Sequence, residues 1–297
     1  MKKFALIGAA GYIAPRHMKA IKDIGSELIA AYDPYDGVGI IDSFFPNASF
    51  FTEFERFDRH IDKLRRSGQK IDFVSICSPN YLHDAHIRFA LKNDCDVICE
   101  KPLVLNPWNI ESLIEIEKET NRKVNTILQL RLHPSIIALR EKVLKDISSN
   151  KVYDLKLKYI TSRGKWYHQS WKGDVSKSGG IATNIGVHFF DMLTWIFGDV
   201  LQNEIKNISS ETAEGFLRLK NANIDWMLSI DENMIPAEIR AVGKKTFRTL
   251  TVEGEEIEFS EGFTDLHTKS YEQIISGNGF GLSDCLSAIK IVSEIRN

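Results

Sequence analysis

Short apolar runs alternate with amphipathic segments through the first part of the chain. Residues 3–7 form a compact apolar run of the kind that builds a β-strand, and a glycine-containing turn follows directly. Residues 15–24 then carry apolar side chains at helical spacing, and a second apolar run at 28–32 ends at Asp33. The order strand, glycine turn, helix, strand and acid is typical of a dinucleotide-binding βαβ unit.

The alternation continues beyond this unit. The pattern predicts helices at 54–67, 82–92 and 108–121 and strands at 73–77, 97–99 and 124–130. Strands that alternate with helices indicate a parallel sheet covered on both faces, and ligands bind such sheets beyond the carboxyl ends of the strands. This rule points to residues 78–83, 100–102 and 129–134 as candidate ligand contacts.

The pattern changes after a helix predicted at 135–146. Strand-like runs then cluster at 152–161, 205–209, 215–219, 226–230, 246–252 and 256–259, and helices predicted at 266–275 and 282–295 close the chain. Clustered strands favour an α+β arrangement over further βαβ units.

Composition and charge narrow the function classes. The chain has 297 residues, with 38 basic and 40 acidic side chains and a formal net charge of −2, which argues against a general nucleic-acid binder. Apolar runs are too short to span a membrane, and no signal peptide is evident, so we expect a cytoplasmic protein with no membrane partner. Cys95 and Cys99 have spacing seen in metal sites, but no second Cys/His pair follows, and no metal is predicted.

The turn at residues 8–14 carries the candidate cofactor chemistry. Gly8 suits a tight turn, and a side chain at Gly11 would obstruct the close approach of a pyrophosphate. The helix start offers N–H groups and the positive end of the helix dipole to phosphates. Asp33 lies about 20 residues after Gly11, where a carboxylate accepts from the ribose 2′-hydroxyl and repels a 2′-phosphate, so NAD is predicted rather than NADP. The alternative is that Asp33 is a plain turn residue, because Asp-Pro-Tyr-Asp-Gly is strong turn chemistry.

Four sequence motifs, which occur in a fixed order along the chain, resemble those of a known family. They are the glycine turn, Ser-Pro-Asn-x-x-His at 78–83, Glu-Lys-Pro at 100–102, and Gly179-Gly180 followed by Gly-Val-His-Phe-Phe-Asp at 186–191. Together they resemble the Gfo/Idh/MocA family of NAD(P)-dependent oxidoreductases. Segments 4–17, 160–164 and 259–267 are similar to a subgroup of that family, the WlbA/WbpB-type UDP-N-acetyl-2-amino-2-deoxy-D-glucuronate dehydrogenases.

The resemblance implies an architecture and an activity. The fold class is α/β: a Rossmann-type parallel sheet in a dinucleotide-binding domain at 1–131, and an α+β substrate and oligomerisation domain at 132–297 on an open, mostly antiparallel sheet. Enzymes of this subgroup oxidise the 3″-hydroxyl of UDP-N-acetyl-D-glucosaminuronate to a ketone. A PLP-dependent aminotransferase then acts on that ketone, on the route to a diamino-uronic acid of bacterial surface polysaccharide (O-antigen).

The resemblance also implies further partners and a set of cofactor contacts. Some relatives use 2-oxoglutarate to reoxidise NADH, and related enzymes form homotetramers by packing the open sheets. The residues assigned to NAD are Gly8, Gly11, Tyr12, Ile13, Asp33, Ser78, Pro79, Asn80, His83, Glu100, Lys101 and Gln129.

Hydride transfer from a secondary alcohol needs a base for the hydroxyl proton and a positive group for the developing alkoxide. Lys101, at the end of a predicted parallel strand, is the candidate cation, and a solvated lysine is its alternative. His188 is the candidate acid/base, because imidazole titrates near neutral pH and the family places its catalytic histidine here. The alternative is a core histidine on an apolar helix. Asn184 stands one helical turn earlier, where the family usually has Asp, and we hypothesise that neutrality there suits a substrate with its own carboxylate.

Segment 163–177 indicates an anionic, ring-containing substrate. Its cations can pair with a diphosphate or carboxylate, and its aromatic rings can stack on a base or sugar. The alternatives are an ordinary surface loop or a contact for single-stranded nucleic acid, which one short loop in a neutral chain does not favour. The residues assigned to substrate are Lys101, Arg131, Arg163, Tyr167, Lys172, Asn184 and His188. Two other functions remain open: a family relative that oxidises another sugar or polyol, and a non-catalytic NAD or sugar sensor.

Overall fold

The chain divides into two units in the computed structural model, which describes residues 1–146, 151–257 and 265–297. The first unit holds residues 1–129 and 265–285, and the second holds residues 130–257 and 286–297.

The chain thus returns to the first unit after most of the second, which differs from a single division at 131. The cause is the helix Leu266–Ile275, which packs on the helix Ala14–Asp23. Its residues Tyr271 and Ile274 are buried in the same apolar core as Phe4. Burial of this helix face draws the segment away from residues 132–257.

Six parallel strands form the sheet of the first unit, as the alternating pattern predicts. They are β1 (Lys3–Ile7), β2 (Glu27–Tyr32), β3 (Ser49–Phe51), β4 (Phe73–Ile76), β5 (Asp96–Cys99) and β6 (Val124–Thr126), in the order β3-β2-β1-β4-β5-β6. The order reverses beside β1, so β1 and β4 flank the point where ligands bind open parallel sheets. The first five helices are α1 (Ala14–Asp23), α2 (Val38–Phe44), α3 (Phe54–Arg66), α4 (His83–Lys92) and α5 (Pro107–Thr120).

Burial explains the central strands. Every residue from Phe4 to Ile7 in β1 is fully buried, as expected for a parallel strand covered on both faces. The predicted strand at 124–130 is shorter in the structure, because β6 ends at Thr126 and a 3₁₀ turn occupies Gln129–Leu132. The sequence reading also missed β3 and α2.

A mixed, mostly antiparallel sheet forms the second unit, which confirms the predicted fold class. Its strands are β7 (Tyr153–Thr161), β8 (Val200–Ile208), β9 (Thr212–Leu219), β10 (Ala222–Ser229), β11 (Thr246–Val252) and β12 (Glu255–Glu256), in the order β12-β11-β7-β10-β9-β8. Only the β7–β10 pairing is parallel among these strands. The predicted strand at 256–259 falls partly outside the described residues, as does most of the motif at 259–267.

Helices and short turns complete the chain. They are α6 (Pro134–Asp146), α7 (Lys165–Gln169), α8 (Val175–Ser178), α9 (Val187–Phe197), α10 (Ala237–Ala241), α11 (Leu266–Ile275) and α12 (Leu282–Arg296). A π-helical turn, Ala182–Gly186, precedes α9. Segment 163–177, expected as a loop, thus contains two short helices. Within the described residues, no helix is both long enough and apolar enough to cross a membrane.

Candidate functional site

The glycine turn leaves no space for a side chain at its first position. Gly8 has φ = 86°, and a Cβ there would lie 2.6 Å from the backbone carbon of Cys77 and the backbone nitrogen of Ser78. At Gly11 a Cβ would lie 3.1 Å from the Gly8 carbonyl oxygen. At Gly8 the constraint comes from the backbone, so the turn requires this glycine whether or not a ligand is bound, whereas a side chain at Gly11 would make only a tight contact.

Asp33 holds the turn from the end of β2. Its carboxylate accepts from the backbone N–H of Ala10 at 2.9 Å and from that of Tyr35 at 2.9 Å. The side chain is buried, with 6% of its surface exposed. Asp33 therefore has the role of a turn residue in the structure, and its contact with a ribose stays a prediction.

Two donors remain at the turn. Among the described residues, the backbone N–H groups of Tyr12 and Ile13 have no hydrogen-bond acceptor, whereas those of Gly8, Ala9 and Gly11 do. The Tyr12 side chain is 87% exposed, so it does not cover these donors. Free N–H groups just before the start of α1 fit an anionic pyrophosphate. The turn therefore fits the predicted dinucleotide.

His83 joins two of the predicted ligand segments. One ring nitrogen lies 2.7 Å from the Pro102 carbonyl oxygen and the other lies 2.8 Å from the Ser78 carbonyl oxygen. Burial lowers the pKa of His83, and the two carbonyl contacts oppose this shift. Because both ring nitrogens contact backbone carbonyl oxygens, His83 links the turn at residue 78 to the turn at residue 102, and its contact with the cofactor stays a prediction.

The neighbouring residues of this segment are also tied into the first unit. The Ser78 hydroxyl lies 2.8 Å from Nδ1 of His86, and Asn80 is buried, while Pro79 is partly exposed. Burial lowers the pKa of His86 to about 4. These contacts are all within the protein, so the assignment of Ser78, Pro79 and Asn80 to NAD stays a prediction.

Glu100 is the centre of a buried network. Its Oε1 accepts from Nε2 of His17 at 3.0 Å and from Nε2 of His267 at 3.0 Å, and its Oε2 accepts from the Lys101 backbone N–H at 3.2 Å. Burial alone would raise the pKa of Glu100, but the hydrogen bonds from the two histidines hold it well below its usual value. A buried carboxylate with these donors is therefore ionised and fixed beside Lys101.

The network continues into the core through Tyr271. Its hydroxyl lies 2.7 Å from Nδ1 of His17 and 2.7 Å from the Ser75 hydroxyl. Since Glu100 can only accept, His17 carries its proton on Nε2, and its Nδ1 accepts from Tyr271. Sequence reasoning left His17 and His267 as structural or surface residues. Their presence in the two segments that resemble the WlbA/WbpB subgroup was the signal that could have linked them.

Lys101 and Gln129 complete the predicted edge of the first unit. Lys101 is partly exposed and precedes Pro102 through a cis peptide bond. The side-chain oxygen of Gln129 is buried and accepts no hydrogen bond from the described residues, which suits an acceptor kept for a ligand.

The second unit presents His188 at the start of α9. The imidazole is partly exposed, packs edge-on against the Tyr159 ring at 6.1 Å, and lies 4.1 Å from the Phe189 ring. These contacts restrict the rotation of the ring. Asn184 lies in the π-helical turn before α9, not on the same regular α-helix as predicted, and its side-chain amide donates to the Tyr167 hydroxyl at 2.8 Å.

Arg131, predicted as a substrate contact, forms a buried ion pair in the second unit, and its contact with substrate stays a prediction. Its Nε and Nη2 donate to the two carboxylate oxygens of Asp191 at 3.0 and 2.7 Å, and both side chains are buried. Asp191 lies one turn after His188 on α9, so this bidentate pair fixes the helix that carries His188. The sequence motif contained Asp191, but the pairing joins residues 60 positions apart and has no local signature.

Aromatic and cationic side chains cluster around α7. The ammonium of Lys172 lies 5.2 Å from the Trp166 ring centroid and 5.5 Å from that of Trp171. Burial and the nearby charge of exposed Arg163 both lower the pKa of Lys172. Tyr167 and Lys172 line a cavity of about 330 Å³, and none of the described residues that line it carries a carboxylate. The structure thus places all three substrate candidates from segment 163–177 in one positively charged neighbourhood.

The chain matches both domains of a known family. The N-terminal model of the Gfo/Idh/MocA family, an oxidoreductase family with an NAD-binding Rossmann fold, matches residues 2–127, and the C-terminal alpha/beta domain matches residues 138–236. These matches cover more than half of the chain. They also agree with the predicted NAD-type cofactor.

Known proteins extend this match. Two crystal structures of the WlbA (WbpB) dehydrogenase from Thermus thermophilus, one with NAD and alpha-ketoglutarate and one with NAD and UDP-GlcNAcA, are 49% identical to the chain. They cover 100% of this chain and 95% of that protein, with TM-scores of 0.97 and 0.96.

Curated relatives are more distant. The putative oxidoreductase YteT of Bacillus subtilis is 28% identical over 184 residues, and the inositol 2-dehydrogenase of Rhizobium meliloti is 27% identical over 199 residues. The alignments cover 61% and 66% of this chain but 40% and 55% of those proteins, so the chain spans about half the length of the curated relatives it matches. From its two family domains and its likeness to the Thermus enzyme, the chain belongs to the Gfo/Idh/MocA family of NAD-dependent oxidoreductases.

Proposed function

We propose that the protein oxidises the 3″-hydroxyl of UDP-N-acetyl-D-glucosaminuronate to the 3-keto sugar with NAD as oxidant. The observation that carries this proposal is the 49% identity, over the whole chain, to a dehydrogenase crystallised with NAD and UDP-GlcNAcA. The cavity lined by Tyr167 and Lys172, whose described lining carries no carboxylate, supports a substrate that carries a diphosphate and a carboxylate.

The chain's own residues then have separate tasks. NAD, when bound, accepts the hydride of the carbinol carbon. The turn at Gly8 and Gly11, with the N–H groups of Tyr12 and Ile13, binds its pyrophosphate, and Asp33 binds its ribose. The remaining NAD contacts are those assigned from the sequence, among which Gln129 offers a buried acceptor.

Lys101 and His188 perform the proton chemistry in this proposal. The His188 imidazole takes the proton of the sugar hydroxyl, and the Lys101 ammonium stabilises the negative charge that develops on that oxygen. Contacts with the Tyr159 and Phe189 rings restrict the orientation of the His188 imidazole. The hydrogen bond from its backbone N–H to Glu100 restricts the backbone of Lys101.

The wider setting follows from the same proposal. The 3-keto sugar is the substrate for a PLP-dependent aminotransferase in the synthesis of a bacterial surface polysaccharide, and the enzyme works in the cytoplasm as a homotetramer. The Thermus structure with alpha-ketoglutarate supports 2-oxoglutarate as the compound that reoxidises NADH.

NADH formation tests the proposal. Purified protein with UDP-N-acetyl-D-glucosaminuronate and NAD should give NADH absorbance and a keto-sugar mass, with 2-oxoglutarate and the aminotransferase present to draw the reaction forward. Lys101→Met and His188→Asn should each lower kcat by at least about 100-fold. The controls Lys92→Met and His60→Asn remove the same side chains elsewhere in the first unit and should leave kcat unchanged.

A polyol substrate is the second candidate. It rests on the 27% identity to inositol 2-dehydrogenase. NADH formed with myo-inositol but not with the UDP-sugar would replace the first proposal by this one. Binding of NAD and the UDP-sugar without NADH from either substrate would instead identify a sensor.

A further inference from the structure

We propose that Asn184 sets the direction of the hydrogen bond at Tyr167, so that the Tyr167 hydroxyl presents its proton to an anionic oxygen of the substrate. The inference rests on the proposed function, because it needs an anionic substrate. It adds a residue that determines specificity without itself binding the anion.

The hydrogen bond between the two side chains has a defined direction. The Asn184 amide nitrogen donates to the Tyr167 oxygen at 2.8 Å, so this oxygen is an acceptor. A phenol has one proton to donate, and the described residues offer no acceptor for that proton. The Tyr167 residue is only 3% exposed, so bulk water does not readily replace a missing acceptor.

An aspartate at position 184 would reverse this arrangement. An ionised carboxylate can only accept, so the Tyr167 O–H would donate its hydrogen bond to the introduced carboxylate in that variant. Only the lone pairs of the Tyr167 oxygen would then be left to face a ligand. Lone pairs repel an anionic oxygen and suit a donor such as a neutral sugar hydroxyl. The same position thus selects between an acceptor ligand and a donor ligand.

The surroundings of Tyr167 favour the acceptor ligand. Lys172 lines the same cavity as Tyr167, and no described residue in that lining carries a carboxylate. Arg163 is close enough for its positive charge to act on both Tyr167 and Lys172. A hydroxyl proton next to two cations completes a donor set for a phosphate or carboxylate oxygen.

A double-mutant cycle tests the direction of this bond. The dissociation constant of UDP-N-acetyl-D-glucosaminuronate is measured by calorimetry on NAD-loaded wild-type protein, Asn184→Asp, Tyr167→Phe and the double variant. Asn184→Asp should weaken binding about 10- to 100-fold in the wild-type background. In the Tyr167→Phe background it should weaken binding less than about threefold, because no hydroxyl remains to be turned.

Direct repulsion between the introduced carboxylate and the substrate carboxylate predicts a different cycle. The loss caused by Asn184→Asp would then have the same size in both backgrounds, and that result would overturn the inference. Unchanged binding by Asn184→Asp would overturn it too. If the aspartate variant folds poorly, Asn184→Ala replaces it in the cycle, because it removes the donor to Tyr167. Its loss of binding should again shrink in the Tyr167→Phe background, and an undiminished loss there would overturn the inference.

A second ligand identifies the anionic oxygen. UDP-N-acetylglucosamine has the same diphosphate but no sugar carboxylate. If Asn184→Asp weakens binding of the uronate alone, Tyr167 contacts the carboxylate. If it weakens binding of both ligands equally, Tyr167 contacts the diphosphate. Either result supports the inference.

Controls separate this result from misfolding and from failure of the proposed function. Asn207→Asp adds the same charge on exposed β8, and Tyr153→Phe removes another buried hydroxyl of the second unit; both should bind like wild type. Wild-type binding without NADH formation contradicts the proposed function alone. Wild-type protein that binds neither UDP-sugar contradicts both.

Discussion

The predicted ligand contacts of the two units differ in how their polar groups are satisfied. In the first unit, Asp33, His83 and Glu100 each bond to the protein on two sides, and the turn needs Gly8 for backbone reasons alone. In the second unit, the Tyr167 hydroxyl keeps its proton without an acceptor among the described residues. The first arrangement fixes the predicted cofactor contacts in place, whereas the second leaves a hydrogen-bond donor for the proposed substrate.

The largest effect should come from the buried ion pair between Arg131 and Asp191 in the second unit. Arg131→Met leaves Asp191 buried without its guanidinium partner, and the free energy of unfolding should fall by about 3–5 kcal/mol. Urea denaturation measures this loss. The double variant Arg131→Met/Asp191→Leu should recover most of it. Equal stability of wild type and the single variant would remove the argument that this pair fixes α9.

The turn of the first unit should be almost as sensitive. Gly8→Ala forces a Cβ into backbone at 2.6 Å at a positive φ, so we expect a loss of about 3 kcal/mol in unfolding free energy and no measurable NAD binding. Gly25→Ala is the matched control. Gly25 has φ = 65° but no atom within 4 Å of its Cβ position, so only the strain of about 1 kcal/mol should appear. Equal losses at both positions would contradict the steric argument.

The buried histidines of the first unit should make stability depend on pH. The pKa of His86 falls from 6.5 to about 4 on folding, so the unfolded chain binds the proton more tightly. The contribution of neutral His86 to the free energy of unfolding is fully present above pH 6.5 and is lost as the pH falls towards about 4. His86→Asn, which can keep a bond to Ser78, should reduce that acid-induced loss of unfolding free energy by about 2 kcal/mol. Parallel pH profiles for variant and wild type would contradict it.

The smallest effect should separate the two interpretations of Asp33. A carboxylate that only closes the turn has no influence on cofactor choice, whereas one facing the ribose repels a 2′-phosphate. Wild-type protein should bind NAD more tightly than NADP, and Asp33→Asn should narrow the ratio of the two dissociation constants about tenfold, or about 1.4 kcal/mol. Asp36→Asn removes a charge from an exposed residue three positions later and should leave this ratio unchanged. Tighter binding of NADP by wild type would exclude the ribose contact.

The local pattern of apolar and polar residues was sufficient to predict the helices and strands that are long or fully buried. The apolar runs of β1, β4 and β5 and the family motifs identified the parallel sheet and the candidate residues. Strand β3 has three residues at a sheet edge, and α2 lies among turn-forming residues, so neither has a strong period of its own. The sequence order of the strands also could not show that one pair, β7 and β10, is parallel.

Long-range pairing accounts for the other differences. Arg131 meets Asp191 across 60 positions, and His17 meets Tyr271 across 254. A charged residue after a strand is equally compatible with a ligand contact and with a buried pair until its partner is known. The direction of the Asn184 bond likewise depends on Tyr167, which the sequence placed in the same site but not in contact.

The late return of the chain has a consequence for its synthesis. When a ribosome has completed residues 1–131, Glu100 still lacks His267, and the Phe4 core still lacks Tyr271. The first unit is therefore completed only after residues 267 and 271 have been synthesised. A gene fragment that stops at the apparent domain boundary encodes a carboxylate buried with one of its two histidine donors missing.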